Sequence, residues 1–237
     1  MFIGHYSAAF AARALNPSVP LGLLFVAVQL IDYAFFAFVM VNAGDAAVLP
    51  VDFHYMPFSH GVVAVSIWAL AAGLLYAGLT EGGGRMMAAL VVTAAVVSHV
   101  VLDMLVQVPD LPIGYGEPGL GFALAPDILI GQVIEFGLLF AGFALYMRST
   151  VPTRPFGQIA PWLLVGLMIG LQVYNLTTPV AAGQSIIELG VVTLGAFTLL
   201  AIVAGIASRS RTSRRSLMEA APVPVRPAAP EGRITRR

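Results

Sequence analysis

The chain contains four histidines, His5, His54, His60 and His99, and no cysteine. Two of the four close the ends of one short stretch, HYMPFSH, residues 54–60. His99 is followed four positions later by Asp103, and on a helix that spacing places an imidazole and a carboxylate on one face, where they can converge on a point. Asp32 and Glu135 interrupt other long apolar runs. Ionisable groups in such surroundings are costly and mark function more often than chance. Imidazole nitrogen and carboxylate oxygen without thiolate form the donor set of zinc, manganese or iron, whereas copper(I) favours sulfur. An ion so held offsets the burial of the carboxylates, lowers the pKa of bound water and polarises an ester or phosphoryl oxygen.

Those residues need helices to carry them, and the composition supplies helices of one kind. Of the 237 residues, 59% are hydrophobic and 10% charged, with a mean hydropathy of +0.89, which places the chain in a bilayer. Six apolar segments, 21–42, 61–79, 86–108, 128–147, 160–177 and 185–206, approach the ~20 residues that cross a hydrocarbon core. They lack the alternation of a barrel, so an all-α polytopic bundle with six spans and a short N-terminal half-helix over residues 2–15 is expected. All 12 basic residues are arginines. Arg13, Arg85, Arg148, Arg154 and the arginines beyond residue 208 fall on one side of the six-span arrangement. The opposite loops carry Asp45, Asp52, Asp110, Glu117 and Asp127 and no arginine. The positive-inside rule then sets both termini in the cytoplasm. The first residues lack a basic n-region, so the N terminus reads as retained rather than as a signal peptide.

A rise of about 1.5 Å per residue converts position into depth. From the turn at residues 16–20, Asp32 lies about 20 Å along the next segment and His5 about 18 Å back along the half-helix. From Arg85, His99 lies about 21 Å and Asp103 about 27 Å away, and Glu135 about 20 Å from Arg148. The polar groups therefore meet in the outer half of the membrane, with His60 at the start of its span and His54 in the preceding loop above them. Pro57 is expected to break that loop so that both imidazoles turn inward. Gln29, one turn before Asp32, is a competing partner for that carboxylate.

Other features have plainer readings. Glu135 and Gln132 share a helical face, and Glu135 reads as a further ligand, a proton-transfer group or a cap on the cluster. Gln172, Asn175 and Glu188 mark the outer halves of the last two spans, as interhelical hydrogen-bonding groups or as the lining of an entrance. GYGEPG, residues 114–119, fits a dinucleotide-binding pattern but has no preceding strand, and reads as a turn. Residues 1–207 form the membrane domain; 208–237, rich in Arg, Pro and Ala, read as a disordered basic cytoplasmic tail. No aromatic or folded reading module accompanies those arginines, which argues for membrane lipids rather than nucleic acid as partners. Oligomeric state is not legible.

Gly4-His5, Asp32, the His54–His60 loop followed by Gly61, and Ser98-His99-x-x-x-Asp103 together resemble the predicted membrane-bound metal-dependent hydrolases, the YdjM-like group. The resemblance covers roughly residues 1–110. The family shows Asp-x-Asp-His where this chain reads Asp32-Tyr33-Ala34-Phe35, and its histidine loop carries an arginine that is missing here. The resemblance implies a divalent metal, zinc first and manganese or iron next. With the residue reading it gives His5, Asp32, His60, His99 and Asp103 as ligands, His54 and Glu135 in catalysis, and a lipid ester or phosphoester of the outer leaflet as substrate. The rival readings are a metal-ion or proton transporter and a non-catalytic membrane protein with a structural metal.

Overall fold

The protein is an all-α helical bundle, seen in a computed structural model that describes residues 1–42, 56–106, 111–113, 119–125, 127–178 and 184–220. A 3-10 turn, Ile3–His5, leads into α1, Tyr6–Leu15. After the turn containing Pro17 and Pro20 come α2, Leu21–Val28, and α3, Leu30–Asn42. Then follow α4, Met56–Ser59, α5, Val62–Leu79, and α6, Arg85–Val106. The short strands β1, Leu111–Pro112, and β2, Gly119–Leu120, pair antiparallel. The chain continues through α7, Ile128–Ser149, β3, Thr150–Pro152, α8, Phe156–Thr177, α9, Ile186–Arg209, β4, Arg211–Ser213, and α10, Arg214–Ala220.

Five of these helices, α5 to α9, are long and apolar enough to cross a membrane, and the α2–α3 pair makes a sixth span if counted as one. The protein is therefore a multi-pass membrane protein. The expected span 21–42 is not a single straight helix: it bends by 54° between α2 and α3. Gln29 sits at the break with φ −109° and ψ 4° and is wholly buried. Non-helical backbone at this depth is tolerated only where protein or a polar cavity surrounds it. Here the site described below does so.

The half-helix α1 is the centre of the bundle rather than an appendage. Tyr6, Ala9 and Phe10 are fully buried, and α1 packs against α7, α2 and α6. Phe10 meets Phe25, Phe143 and Tyr146 with ring centroids 5.3, 5.6 and 5.4 Å away. On the opposite flank, α2 packs backbone to backbone against α9. A Cβ at Gly22 would lie 2.6 Å from the Ala201 carbonyl oxygen and 3.1 Å from Gly205 Cα, the small-residue contact by which membrane helices approach closely. Gly22→Val is expected to force α2 from α9 at a cost of about 1–3 kcal/mol, read as a lower melting temperature in detergent. An unchanged melting temperature would mean that the two helices do not rest on that contact.

The folded part does not end at residue 207. β4 pairs with β3 in the register Thr150–Ser213, Val151–Thr212 and Pro152–Arg211, and α10 carries regular structure to residue 220. Arg211 accounts for the difference. Its guanidinium donates to Thr150 Oγ1 at 2.9 Å, Gly157 O at 2.6 Å and Thr150 O at 3.0 Å, and it lies 5.9 Å from the Tyr146 ring centroid. An arginine that reads as solvated tail in a string of letters here ties the chain to the α7–α8 connection. Residues 221–237 lie outside the described residues.

Candidate metal centre

Helix α6 brings His99 and Asp103 inward, both buried, at 0% and 2% exposure. The break between α2 and α3 then faces them. His99 Nδ1 lies 2.7 Å from the Val28 carbonyl oxygen. A carbonyl only accepts, so Nδ1 carries a proton, and Nε2 is the ring atom left to meet a ligand or an ion. That nitrogen points into a space bounded by carboxylates: Asp103 Oδ2 is 3.2 Å away and Asp32 Oδ1 3.6 Å. Both lie within ion-pair distance of it. A ring anchored through one nitrogen to a backbone oxygen, with the other left to meet an ion, is the usual posture of a metal-ligating histidine.

His60 approaches from the far side of Asp32, with Nε2 3.3 Å from Asp32 Oδ1. It is placed by α4, a single turn closed by His60 N donating to Met56 O at 2.7 Å. Pro57 does not break this stretch, as the sequence suggests. It lies in the first turn of a helix, where a missing N–H costs nothing. Gly61, whose added Cβ would run into the Pro57 carbonyl, lets α5 start directly above the turn. Ser59 Oγ lies 2.9 Å from His60 Nδ1 and orients that ring in turn.

His5 completes the arrangement from below. It is fully buried, its ring stacks on that of His99 with centroids 4.0 Å apart and planes 9° from parallel, and Nε2 lies 3.3 Å from Asp103 Oδ1. Neither ring nitrogen of His5 makes a hydrogen bond. The Met1 α-amine also meets Asp103 Oδ1, at 3.1 Å. Glu135, from α7, holds this segment in place: its Oε2 accepts from Phe2 N at 2.8 Å and Gly4 N at 3.1 Å. Gly4 permits the approach, since a Cβ there would lie 3.1 Å from Met1 Cε and 3.5 Å from the Glu135 Cα.

Two triads result, His5–His99–Asp103 and Asp32–His60–His99, each with ligand atoms within 4.8 Å of one another. Both groups could hold a metal ion, and His99 belongs to each. Donor atoms bound ~2.1 Å from one ion at a tetrahedral angle lie ~3.4 Å apart. The separations of 3.2, 3.3, 3.3 and 3.6 Å are of that size, and are also those of imidazole–carboxylate ion pairs. Asp103 has the Met1 ammonium beside it. For Asp32 the neighbours seen among the described residues are the two imidazoles, so its charge is the one for which a cation has most to offer.

The five expected ligands are thus brought together, as two overlapping sets rather than one shell. His54 lies outside the described residues, as do Asp45, Asp52, Asp110 and Glu117. Gln29 does not partner Asp32; it donates to Phe2 O at 3.4 Å. Gln172 donates to Gln132 at 2.7 Å, the interhelical bond anticipated for it. Sequence reasoning missed Ser59 and the Val28 carbonyl. A serine next to His60 was a visible signal; a backbone carbonyl released by a helix break left none. A cavity of about 430 Å³ reaches Asp32 from between α3, α8 and α9, and Asn175 and Glu188 are among the residues that line it. Comparison with protein-family models, curated proteins and solved structures finds no match.

Proposed function

We propose that this protein is a membrane-embedded metal-dependent hydrolase of the bacterial inner membrane, of the YdjM-like kind, with both termini cytoplasmic. Its substrate is a lipid ester or phosphoester of the outer leaflet. The observation that carries the reading is His99 Nε2: buried, and set between two carboxylates at 3.2 and 3.6 Å. The donor set of nitrogen and oxygen fits a divalent ion, zinc before manganese or iron.

Asp32, His60 and His99 would hold such an ion, with His5 and Asp103 behind them as the second group of donors. When bound, the ion supplies Lewis acidity at an ester carbonyl or phosphoryl oxygen. The protein's own residues do the rest. The Val28 carbonyl and Ser59 fix the tautomer and tilt of His99 and His60. Glu135 positions the segment that carries His5. The stacked rings of His5 and His99 exclude water from below. Transport would require polar groups to continue toward the arginine-bearing end. There the core is Phe10, Phe25, Val92, Val96, Leu139 and Phe143, all buried, which supports a closed pocket.

The test is elemental analysis of purified protein beside the double variant His99→Ala, Asp103→Ala, with both offered phospholipid and ester substrates in vesicles. Metal in the wild type, lost together with hydrolysis in the variant, is the expected result. Metal absent from both would remove the proposal.

A further inference from the structure

A second cavity follows the first turns of α7. Ile128, Gly131, Gln132 and Glu135, spaced i, i+3, i+4 and i+7 along one face of that helix, line a space of about 400 Å³ together with Asp127 and Met1. It runs from outside to inside. Asp127, the N-cap of α7, is exposed, Gln132 is half-buried, and Glu135 is 7% exposed. At about 1.5 Å per residue, Asp127 to Glu135 is about 12 Å of depth.

The inner end of this cavity abuts the candidate metal centre. Met1 lines it and also lines the cavity between α3, α8 and α9, and the Met1 α-amine is 3.1 Å from Asp103 Oδ1. Glu135 holds Phe2 N and Gly4 N there, so the floor of the cavity is the segment that carries His5. A buried acceptor stands beside it. Gln172 donates through Nε2 to Gln132 Oε1 at 2.7 Å, while its own Oε1, in a residue 1% exposed, has no hydrogen-bond partner among the described residues. Buried carbonyl oxygens that protein groups do not serve are served by water.

We infer that this cavity is the water port of the site: water enters beside Asp127, passes Gly131 and Gln132, and reaches Asp103 at Met1. The inference rests on the hydrolase reading for the use made of that water, since hydrolysis joins a water to each bond it breaks; water in the cavity does not require turnover. The cavity between α8 and α9 is poorly placed for the same task. Tyr174 and Val192, which line it, are 58% and 53% exposed on spans that face acyl chains, so water entering there would first cross hydrocarbon. The two reactants of opposite solubility thus have separate approaches, and α7 carries the aqueous one.

The chain has no cysteine, so a single introduced cysteine reports on its own surroundings. A thiol attacks a methanethiosulfonate as the thiolate, a charged form that persists where water reaches it. With the full chain in nanodiscs, Gln132→Cys is expected to react with a charged methanethiosulfonate about tenfold or more faster than Val133→Cys. Val133 is the next residue of α7 and is 65% exposed on the lipid-facing side, so the pair compares the cavity with the bilayer at one depth. Gly131→Leu, added to Gln132→Cys, returns the rate to that of Val133→Cys. The leucine is accommodated: a Cβ at Gly131 meets Ala125 Cβ at 3.6 Å, an ordinary contact, and leucine is the better helix former, so melting temperature and metal content stay at the wild-type values. Equal rates at positions 132 and 133, a rate at 132 that Gly131→Leu leaves unchanged, or wild-type hydrolysis by a Gly131→Leu protein whose port is closed would each overturn the inference. A reactive port, closed by the leucine, in metal-loaded protein that hydrolyses nothing would sink the hydrolase reading and leave this one standing.

Discussion

His99→Ala is expected to come off purification without its ion and to lose turnover by about a thousandfold or more, since Lewis-acid stabilisation of the transition state is worth several kcal/mol and each ~1.4 kcal/mol is tenfold in rate. The argument rests on sharing. His99 is the residue common to both triads, so its removal leaves neither with more than two donors. His5→Ala is the contrasting case. It leaves Asp32, His60 and His99 in place, and its effect should be that of a neighbouring support, about 10–100-fold in metal affinity. Competition titration with a chromogenic chelator measures both. Should His5→Ala lose the ion as completely as His99→Ala, the ion sits against Asp103 rather than Asp32. Should His99→Ala keep it, His99 is not a ligand and the two triads do not describe the site.

The second large effect is expected at Glu135. Its carboxylate accepts from Phe2 N and Gly4 N, so Glu135→Ala strands two backbone donors inside the bundle at a cost of about 1–3 kcal/mol for each. It also frees the segment that carries His5. Melting temperature and metal affinity should fall together. Glu135→Gln retains a side-chain oxygen that can accept from the same two donors, and is expected to restore both quantities and to keep turnover near that of the wild type. A Glu135→Gln protein with normal melting and a full complement of ion, yet without hydrolysis, would instead make Glu135 the proton-transfer group. The pair of variants therefore separates positioning from chemistry.

The bundle and most of the site are legible in the letters because both follow from simple periodicities. Apolar runs of bilayer length mark the spans from α5 to α9 within a few residues. Depth counted from the turn at 16–20 and from Arg85 brings His5, Asp32 and His99 to a similar level, the i, i+4 spacing adds Asp103 on the same face, and His60 enters from above at the start of its span. What escapes has a different physical origin. The break at Gln29 involves neither glycine nor proline, and arises where tertiary partners, Phe2 O for its side chain and His99 for the Val28 carbonyl, replace the helical ladder. The order of residues 208–220 escapes because arginine and serine suggest solvation, while Arg211 finds three protein oxygens and an aromatic face. The division of the ligands into two triads is a matter of ångströms, finer than a count of residues can resolve.

The hydrogen bond from Gly4 to Glu135 spans 131 positions of sequence, and α1 packs against α7. During synthesis, therefore, the first segment emerges long before the helix that satisfies its backbone. At ten residues α1 is too short to cross a bilayer alone, so it can take up its place against α7 only after α7 has been made. Docking of His5 beside His99 thus follows synthesis of α7, and a nascent chain stalled before α7 would lack the carboxylate that satisfies Phe2 N and Gly4 N.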